Sequence, residues 1–212
     1  MSFAEELIPL LPEDLPRASE LAALSSKHLD MIVAVNEYMN LTRITGTREA
    51  VIKHILDSVL PWKHFAGARS IMDAGTGAGL PGIPLAILFP ETRFLLVESV
   101  QKKARFVESV VDELQLKNVE VSSKRAEDLL GTRKVEIITA RAMAPIERAL
   151  GYFAPAFRNG TRALLYKGPD VETEIAEAAS EARKRKVFLK VVARYDLPDA
   201  LGTRTLVEAK PD

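Results

Sequence analysis

The chain predicts an α/β fold: a Rossmann-like, mostly parallel sheet with helices on both faces, preceded by a helical extension. Three observations carry this. From Arg69 onward, short β-like runs alternate with helical stretches. A loop with four glycines in eight positions, Gly75 to Gly82, joins the first such run to the first helix. Residues 1 to about 66 read as helical throughout. Alternation of this kind implies right-handed crossovers, and ligands of such sheets bind at the strands' carboxyl ends near the switch point.

The elements follow in order. Apolar residues from Leu21 to Met39 recur at helical spacing: Leu21, Leu24, Leu29, Ile32, Val33 and Val35. Asn40-Leu41-Thr42 links this helix to a second, with Thr47 as its N-cap, running through Val51, Ile55, Leu56 and Val59 to Pro61. Ser70-Ile71-Met72 reads as the first strand and Ile83 to Leu88 as the helix after the glycine loop. Phe94 to Val97 is a strand, Val100 to Leu116 a helix, and Val119 to Val121 a third strand. Val135 to Thr139 is the fourth strand, followed by a helix from Ile146 to Phe153. Arg162 to Tyr166 is the fifth strand, and Val171 to Lys186 a charged amphipathic helix. Val187 to Ala193 and Thr205 to Ala209 form a closing antiparallel pair. The expected division is an extension over residues 1–66 and an α/β domain over 67–212, forming one unit.

Composition narrows the class. The 212 residues suffice for one α/β domain with a real core. Apolar residues at 47% and charged residues at 27% fit a soluble globular protein. No apolar run is long enough for a transmembrane helix, and the acidic start Met1-Ser2-Phe3-Ala4-Glu5-Glu6 lacks a signal peptide's basic region. The chain has no cysteine, which excludes disulfides, thiolate metal sites and cysteine nucleophiles and fits a cytoplasmic location. The formal net charge of +0 weighs mildly against nucleic acid, although a local basic patch would suffice.

The cofactor signal is Asp73-Ala74-Gly75-Thr76-Gly77-Ala78-Gly79-Leu80-Pro81-Gly82. Two cofactors fit such a loop. A G-x-G-x-x-G spacing at Gly77, Gly79 and Gly82 suits a nicotinamide dinucleotide, but it begins four residues after Asp73. Read from Gly75, the third glycine position holds Leu80. Asp73 would repel a pyrophosphate and suits a ligand carrying an ammonium and a sulfonium, which favours S-adenosylmethionine. Glu98, ending the next strand, stands where a carboxylate accepts ribose hydroxyls. Singly, Asp73 is an ordinary turn carboxylate and Glu98 a solvated strand end; their joint placement makes the argument.

The run from Asp73 to Leu85 resembles the signature of the glucose-inhibited division protein B family, small-subunit ribosomal RNA guanine-N7 methyltransferases. Asn40-Leu41-Thr42, His54-Ile55-Leu56-Asp57-Ser58, the Lys-x-x-Arg-Phe pattern from Lys102 to Phe106, and Arg141-Ala142 extend the likeness over about residues 36 to 168. One departure is Glu98, where Asp is expected. The resemblance implies a Rossmann-like S-adenosylmethionine-dependent methyltransferase with a helical N-terminal extension. Its cofactor contacts map onto Gly75, Leu80, Ala126, Glu127 and Arg141; Gly77 and Gly79 complete the loop. The implied substrate is 16S ribosomal RNA or the small ribosomal subunit, and the protein is expected to act as a monomer. The alternative is methyl transfer to a small molecule or another RNA; a nicotinamide-dependent oxidoreductase and a non-catalytic RNA-assembly factor are more distant readings.

Guanine N7 offers a lone pair without losing a proton, so the implied reaction needs alignment rather than a general base. No metal is expected, because His28, His54 and His64 lack metal-ligand spacing. His54 and Asp57, at i, i+3, read either as a helix-surface pair or as functional. Because a donor on N7 would block it, an arginine should address O6 or a phosphate. Arg141, after the fourth strand, is the candidate, flanked by Arg125 and Lys167 at neighbouring strand ends. Lys102, Lys103 and Arg105 form a basic cluster suited to RNA phosphates. Arg183 to Lys186 reads as a solvated helix face, because acidic residues precede it along the helix.

Overall fold

Ile71 and Met72 are both fully buried, on opposite faces of strand β1 (Ser70–Ala74), because that strand lies mid-sheet with helices over each face. A computed structural model describes residues 2–44 and 46–212; Met1 and Thr45, both in the stretch read as the helical extension, lie outside it. The helices are α1 (Phe3–Leu7), α2 (Ala18–Met39), α3 (Thr47–Ala50) and α4 (Asp57–Val59), the last two joined by a π-helical segment Val51–Leu56. After β1 come α5 (Gly82–Leu88), β2 (Arg93–Val97), α6 (Gln101–Glu113), β3 (Val119–Ser122) and α7 (Ala126–Leu130). Next come β4 (Ile137–Arg141), α8 (Ile146–Phe157), β5 (Arg162–Lys167), α9 (Val171–Arg185), β6 (Val187–Asp196) and β7 (Thr203–Pro211).

The sheet order is β3-β2-β1-β4-β5-β7-β6. Strands β1 to β5 pair in parallel, and β7 pairs antiparallel with both β5 and β6. The expected closing antiparallel pair is thus present. The order reverses between the adjacent strands β1 and β4, which places the binding crevice above their carboxyl ends.

Alternation along the strands feeds two cores. One face sets Ile71, Phe94, Leu96 and Leu164 against α2, α5, α6 and the 47–59 segment; Leu21, Leu29, Ile32, Ile52 and Ile55 belong to this cluster. The other sets Met72, Leu95, Ile138 and Leu165 against α7, α8 and α9 through Leu129, Phe153 and Ala178. In α2 the buried residues Leu21, Ala22, Ser25, His28, Leu29 and Ile32 form one stripe at helical spacing. The helix ends at Asn40 in the left-handed conformation (φ 51), which asparagine tolerates.

Some expectations need correction. The second helix is capped by Gly46, and Thr47 is its first residue. Between Ala50 and Asp57 its hydrogen bonding loosens to the π pattern, a feature found frequently at functional sites. Helix α1 falls in the stretch expected to be helical but has no element of its own there, and α7 adds a short helix after β3. No helix among the described residues is long and apolar enough to cross a membrane.

Candidate active site

The glycine loop wraps over the carboxyl end of β1. Gly75, Gly77 and Gly79 all have positive φ, at 72°, 61° and 88°. A Cβ on Gly75 would stand 3.2 Å from Met143 Cγ, whereas one on Gly77 would meet nothing nearer than the Gly75 carbonyl at 4.0 Å. Gly77 therefore keeps one side of the loop's backbone open.

Asp73 lies beneath this loop. Its Oδ2 accepts from the Thr76 hydroxyl (2.6 Å) and the Gly82 amide (2.8 Å), and it is fully buried. Burial pushes its carboxyl up to about 6, against the lowering effect of those two bonds. Its Oδ1 is buried without a hydrogen-bond partner among the described residues. Asp73 thus shapes the loop from below and lines no part of the cleft, contrary to its reading as a carboxylate beside the ligand. Gly79 likewise faces inward: a Cβ there would fall 2.4 Å from Ile83 Cδ1.

Glu98 follows β2 and is buried, so it is not a solvated strand end. Its Oε2 accepts from Gly77 N (3.1 Å) and its Oε1 from Val100 N (2.8 Å). Each oxygen keeps acceptor capacity for a second donor.

Three cavities meet here. One of about 290 Å³ runs along the loop between Gly75, Gly77, Leu80, Glu98, Lys103 and Arg141. A second, about 210 Å³, continues it past Gly75 to Ser99, Arg125, Ala126 and Glu127. Together they form a trough over the ends of β1, β2 and β3. The third, a cleft of about 690 Å³, shares His54, Arg141 and Ala142 with the trough and extends to Lys53, Asp57, Tyr166, Lys167 and Arg204. Ala142 turns the chain at this junction with φ 54, a left-handed conformation uncommon for alanine.

Arg141 is the last residue of β4. Its Nη1 donates to the Lys53 carbonyl (3.1 Å) and to Asp57 Oδ2 (3.2 Å). The Asp57 side chain is 4% exposed and the Arg141 side chain 16%. The Tyr195 hydroxyl, from β6, donates to Asp57 Oδ1 (3.1 Å), and Arg204 Nε, from β7, stands 3.5 Å from Asp57 Oδ2. His54 bonds Thr42 Oγ1 through Nε2 (3.1 Å). Burial, with the charge of Arg141 second, pushes its imidazole down to about 3, so it is neutral at pH 7. His54 and Asp57 therefore do not form a helix-surface pair: both are buried, with different partners.

His28 ties the extension to the glycine loop. Its Nε2 lies 2.7 Å from the Ala78 carbonyl, and burial pushes the ring down to about 4. The neutral ring must carry its proton on Nε2 to donate there; Nδ1 is buried without a partner among the described residues.

The sequence-derived candidates thus separate. Gly75, Gly77, Leu80, Glu98, Ala126, Glu127, Arg125, Lys103 and Arg141 line the trough, and Lys167 lines the cleft. Lys102 is exposed and lines none of the three cavities. Lys167 Nζ is engaged by Glu174 (2.8 Å) and the Ala144 carbonyl (2.7 Å). Lys184 and Arg185 pair with Glu181 at the far, amino-terminal edge of the parallel strands. Tyr195 and Arg204 went unread, because nothing local in β6 or β7 reveals that they converge on Asp57.

The family model described as rRNA small subunit methyltransferase G (GidB) matches residues 22–200. The ribosomal RNA small subunit methyltransferase G of Solibacter usitatus is 61% identical over 210 residues, covering 99% of this chain and 100% of that protein. The protein of the same name from Carboxydothermus hydrogenoformans is 39% identical over 198 residues, covering 90% of this chain and 83% of that one. Among solved structures, magnesium protoporphyrin IX methyltransferase from Synechocystis, with bound S-adenosylmethionine, superposes with TM-score 0.60 at 14% identity, covering 87% of this chain and 97% of the other. An O-methyltransferase from Bacillus cereus superposes with TM-score 0.56 at 19% identity, covering 88% and 91%. At such low identity these two show the fold alone, the methyltransferase variant of the doubly wound sheet. Family model and whole-length relatives agree: the chain belongs to the rRNA small subunit methyltransferase G family.

Proposed function

We propose that this chain transfers a methyl group from S-adenosylmethionine to N7 of a guanine in 16S ribosomal RNA, acting as a cytoplasmic monomer. The observation that carries the reading is the junction at His54, Arg141 and Ala142, where the loop-lined trough opens into a wider, basic-walled cleft. A methyl donor and a large acceptor need such adjoining spaces.

The residues fit the cofactor. Gly77 leaves backbone open along the trough, and Glu98 offers acceptor capacity suited to ribose hydroxyls. Gly75, Gly77, Leu80, Glu98, Ala126, Glu127 and Arg141 would hold it, with Asp73 and Gly79 fixing the loop from below. When bound, S-adenosylmethionine supplies a methyl group activated by its sulfonium.

The chain's own residues then position the acceptor. Arg141 is held by Asp57 and the Lys53 carbonyl through Nη1, which among the described residues leaves Nε and Nη2 to address O6 or a phosphate. Such placement keeps N7 clear. His54, neutral at the junction, avoids adding a positive charge beside a sulfonium. No general base is required, since N7 carries no proton. Lys103 and Arg125 beside the trough, Lys102 on the adjoining helix, and Lys167 in the cleft would meet RNA phosphates.

The test is transfer of labelled methyl from S-adenosylmethionine to naked small-subunit RNA, assembled subunits and a panel of small metabolites. Label in the RNA or the subunit supports the proposal. Label confined to small molecules overturns it.

A further inference from the structure

We propose that Arg204, with Arg141, forms a two-guanidinium clamp for a backbone phosphate of the RNA substrate, with Asp57 as the organiser that holds both. The proposal rests on the methyltransferase reading above and adds a substrate contact from the far end of the chain.

The first observation is a charge imbalance. In the wall of the 690 Å³ cleft, Lys53 is matched by Glu49 (2.6 Å) and Lys167 by Glu174 (2.8 Å). Arg141 and Arg204 share a single carboxylate, Asp57, at 3.2 and 3.5 Å. Among the described residues that line the cleft, one positive charge is therefore left over, on a partly buried pair in which the Arg204 side chain is 24% exposed. An uncompensated charge at such a site is costly, and an incoming anion would relieve that cost.

The second observation is the donor inventory. Arg204 directs Nε toward Asp57 and Nη1 toward the Thr203 carbonyl (3.2 Å), which leaves Nη2 without a partner among the described residues. Among the described residues Arg141 uses only Nη1. A guanidinium has five N–H donors in a planar fork that matches phosphate oxygens. Asp57 offers one negative charge to two guanidinia, both of which approach Oδ2 while Oδ1 accepts from the Tyr195 hydroxyl.

The third observation locates the anion. Arg204 lines the cleft and not the trough, whereas Arg141 lines both. A cofactor lying in the trough would face Arg141 rather than Arg204. The remaining anion in the proposed reaction is the phosphodiester of the RNA.

The experiment compares Arg204→Gln and Arg204→Lys with the unaltered full-length chain. Single-turnover methylation of small-subunit RNA is titrated at several salt concentrations, and S-adenosylmethionine affinity and melting temperature are measured in parallel. Arg204→Gln should raise the half-saturating RNA concentration about tenfold. It should also flatten the dependence of log affinity on log salt by about 0.7–0.9, the loss of one phosphate contact. Cofactor affinity should stay unchanged. Arg204→Lys should keep the salt slope and recover part of the affinity, and this variant decides the matter if Arg204→Gln does not fold. RNA affinity and salt slope unchanged in both variants, or a loss shared equally with cofactor affinity, would overturn the clamp. Failure of the unaltered chain to methylate any small-subunit RNA would instead overturn the functional reading on which the clamp depends.

Discussion

Asp57 and Arg141 meet across 84 residues of sequence, carboxylate Oδ2 to guanidinium Nη1 at 3.2 Å, and so fasten the helical extension to the carboxyl end of β4. Both are largely buried, so the pair is unlike a surface ion pair, which contributes only ~0–1 kcal/mol. Removing one member of a buried pair costs about 3–5 kcal/mol, because the other charge is left uncompensated. Asp57→Ala should therefore lower the melting temperature markedly. Asp57→Asn, which keeps the shape, should lose less stability yet still methylate more slowly. Thermal unfolding beside single-turnover kinetics checks this; a stable, fully active Asp57→Ala protein would remove the organising role.

Arg141→Lys keeps the charge and loses the planar fork. A misplacement of about 1 Å can cost on the order of 100-fold in rate, so most methylation should disappear. Because the partner Asp57 is buried, some stability should go too, and Arg141→Ala should lose more of both. Rates normalised to the folded fraction separate the two effects. A normal rate in folded Arg141→Lys would show that the residue is structural alone.

Glu98→Ala should weaken S-adenosylmethionine binding at least about tenfold, since hydrogen bonds to a charged group contribute ~1.5–3 kcal/mol. The same change frees the amides of Gly77 and Val100, so calorimetric affinity must be read beside the melting temperature. Unchanged affinity would remove Glu98 from the cofactor site.

Acid should destabilise the protein in a particular order. His28 and His54 ordinarily titrate near 6.5 but are pushed down to about 4 and about 3 in the folded chain. The unfolded chain thus takes up protons first, and stability is lost as pH falls below 6.5. Each histidine contributes a slope of about 1.4 kcal/mol per pH unit. Asp73 acts oppositely: its carboxyl is raised from 3.8 to about 6, so the folded chain binds that proton first and gains stability between those values. Two histidines against one carboxyl leave the unfolded chain taking up about one proton more than the folded one, so stability should fall by roughly 1.4 kcal/mol per pH unit from about pH 6 to about pH 5. His28→Gln, which preserves a donor to the Ala78 carbonyl, should flatten the curve. A melting temperature constant from pH 7.5 to pH 5 would contradict this.

What the sequence revealed and what it hid divide along physical lines. β1, the glycine loop and α5 were legible because their signals are local: a buried strand, positive-φ glycines and an apolar helix within twenty residues. Ser2 and Glu5 carry a capping-box signature that marks α1, although the helix itself is only five residues long. The loosened turn from Val51 to Leu56 has no sequence signature, so the burial of His54 and Asp57 was hidden. Asp73 was read as facing the ligand because its position in the chain is beside the loop; which side of the strand it faces depends on the packing of Gly82 and Leu96. The convergence of Asp57, Arg141, Tyr195 and Arg204 joins four distant segments, and only strand order brings them together.

The most direct measurement maps the methylated base. Small-subunit RNA from cells lacking this protein is incubated with the chain and S-adenosylmethionine, and 7-methylguanine is located by cleavage at the modified base. The expected result is one new 7-methylguanine at a single position, absent from the untreated RNA and from the Arg141→Ala reaction. Methylation at another atom or base, or no transfer to RNA by a chain that binds the cofactor, would contradict the account.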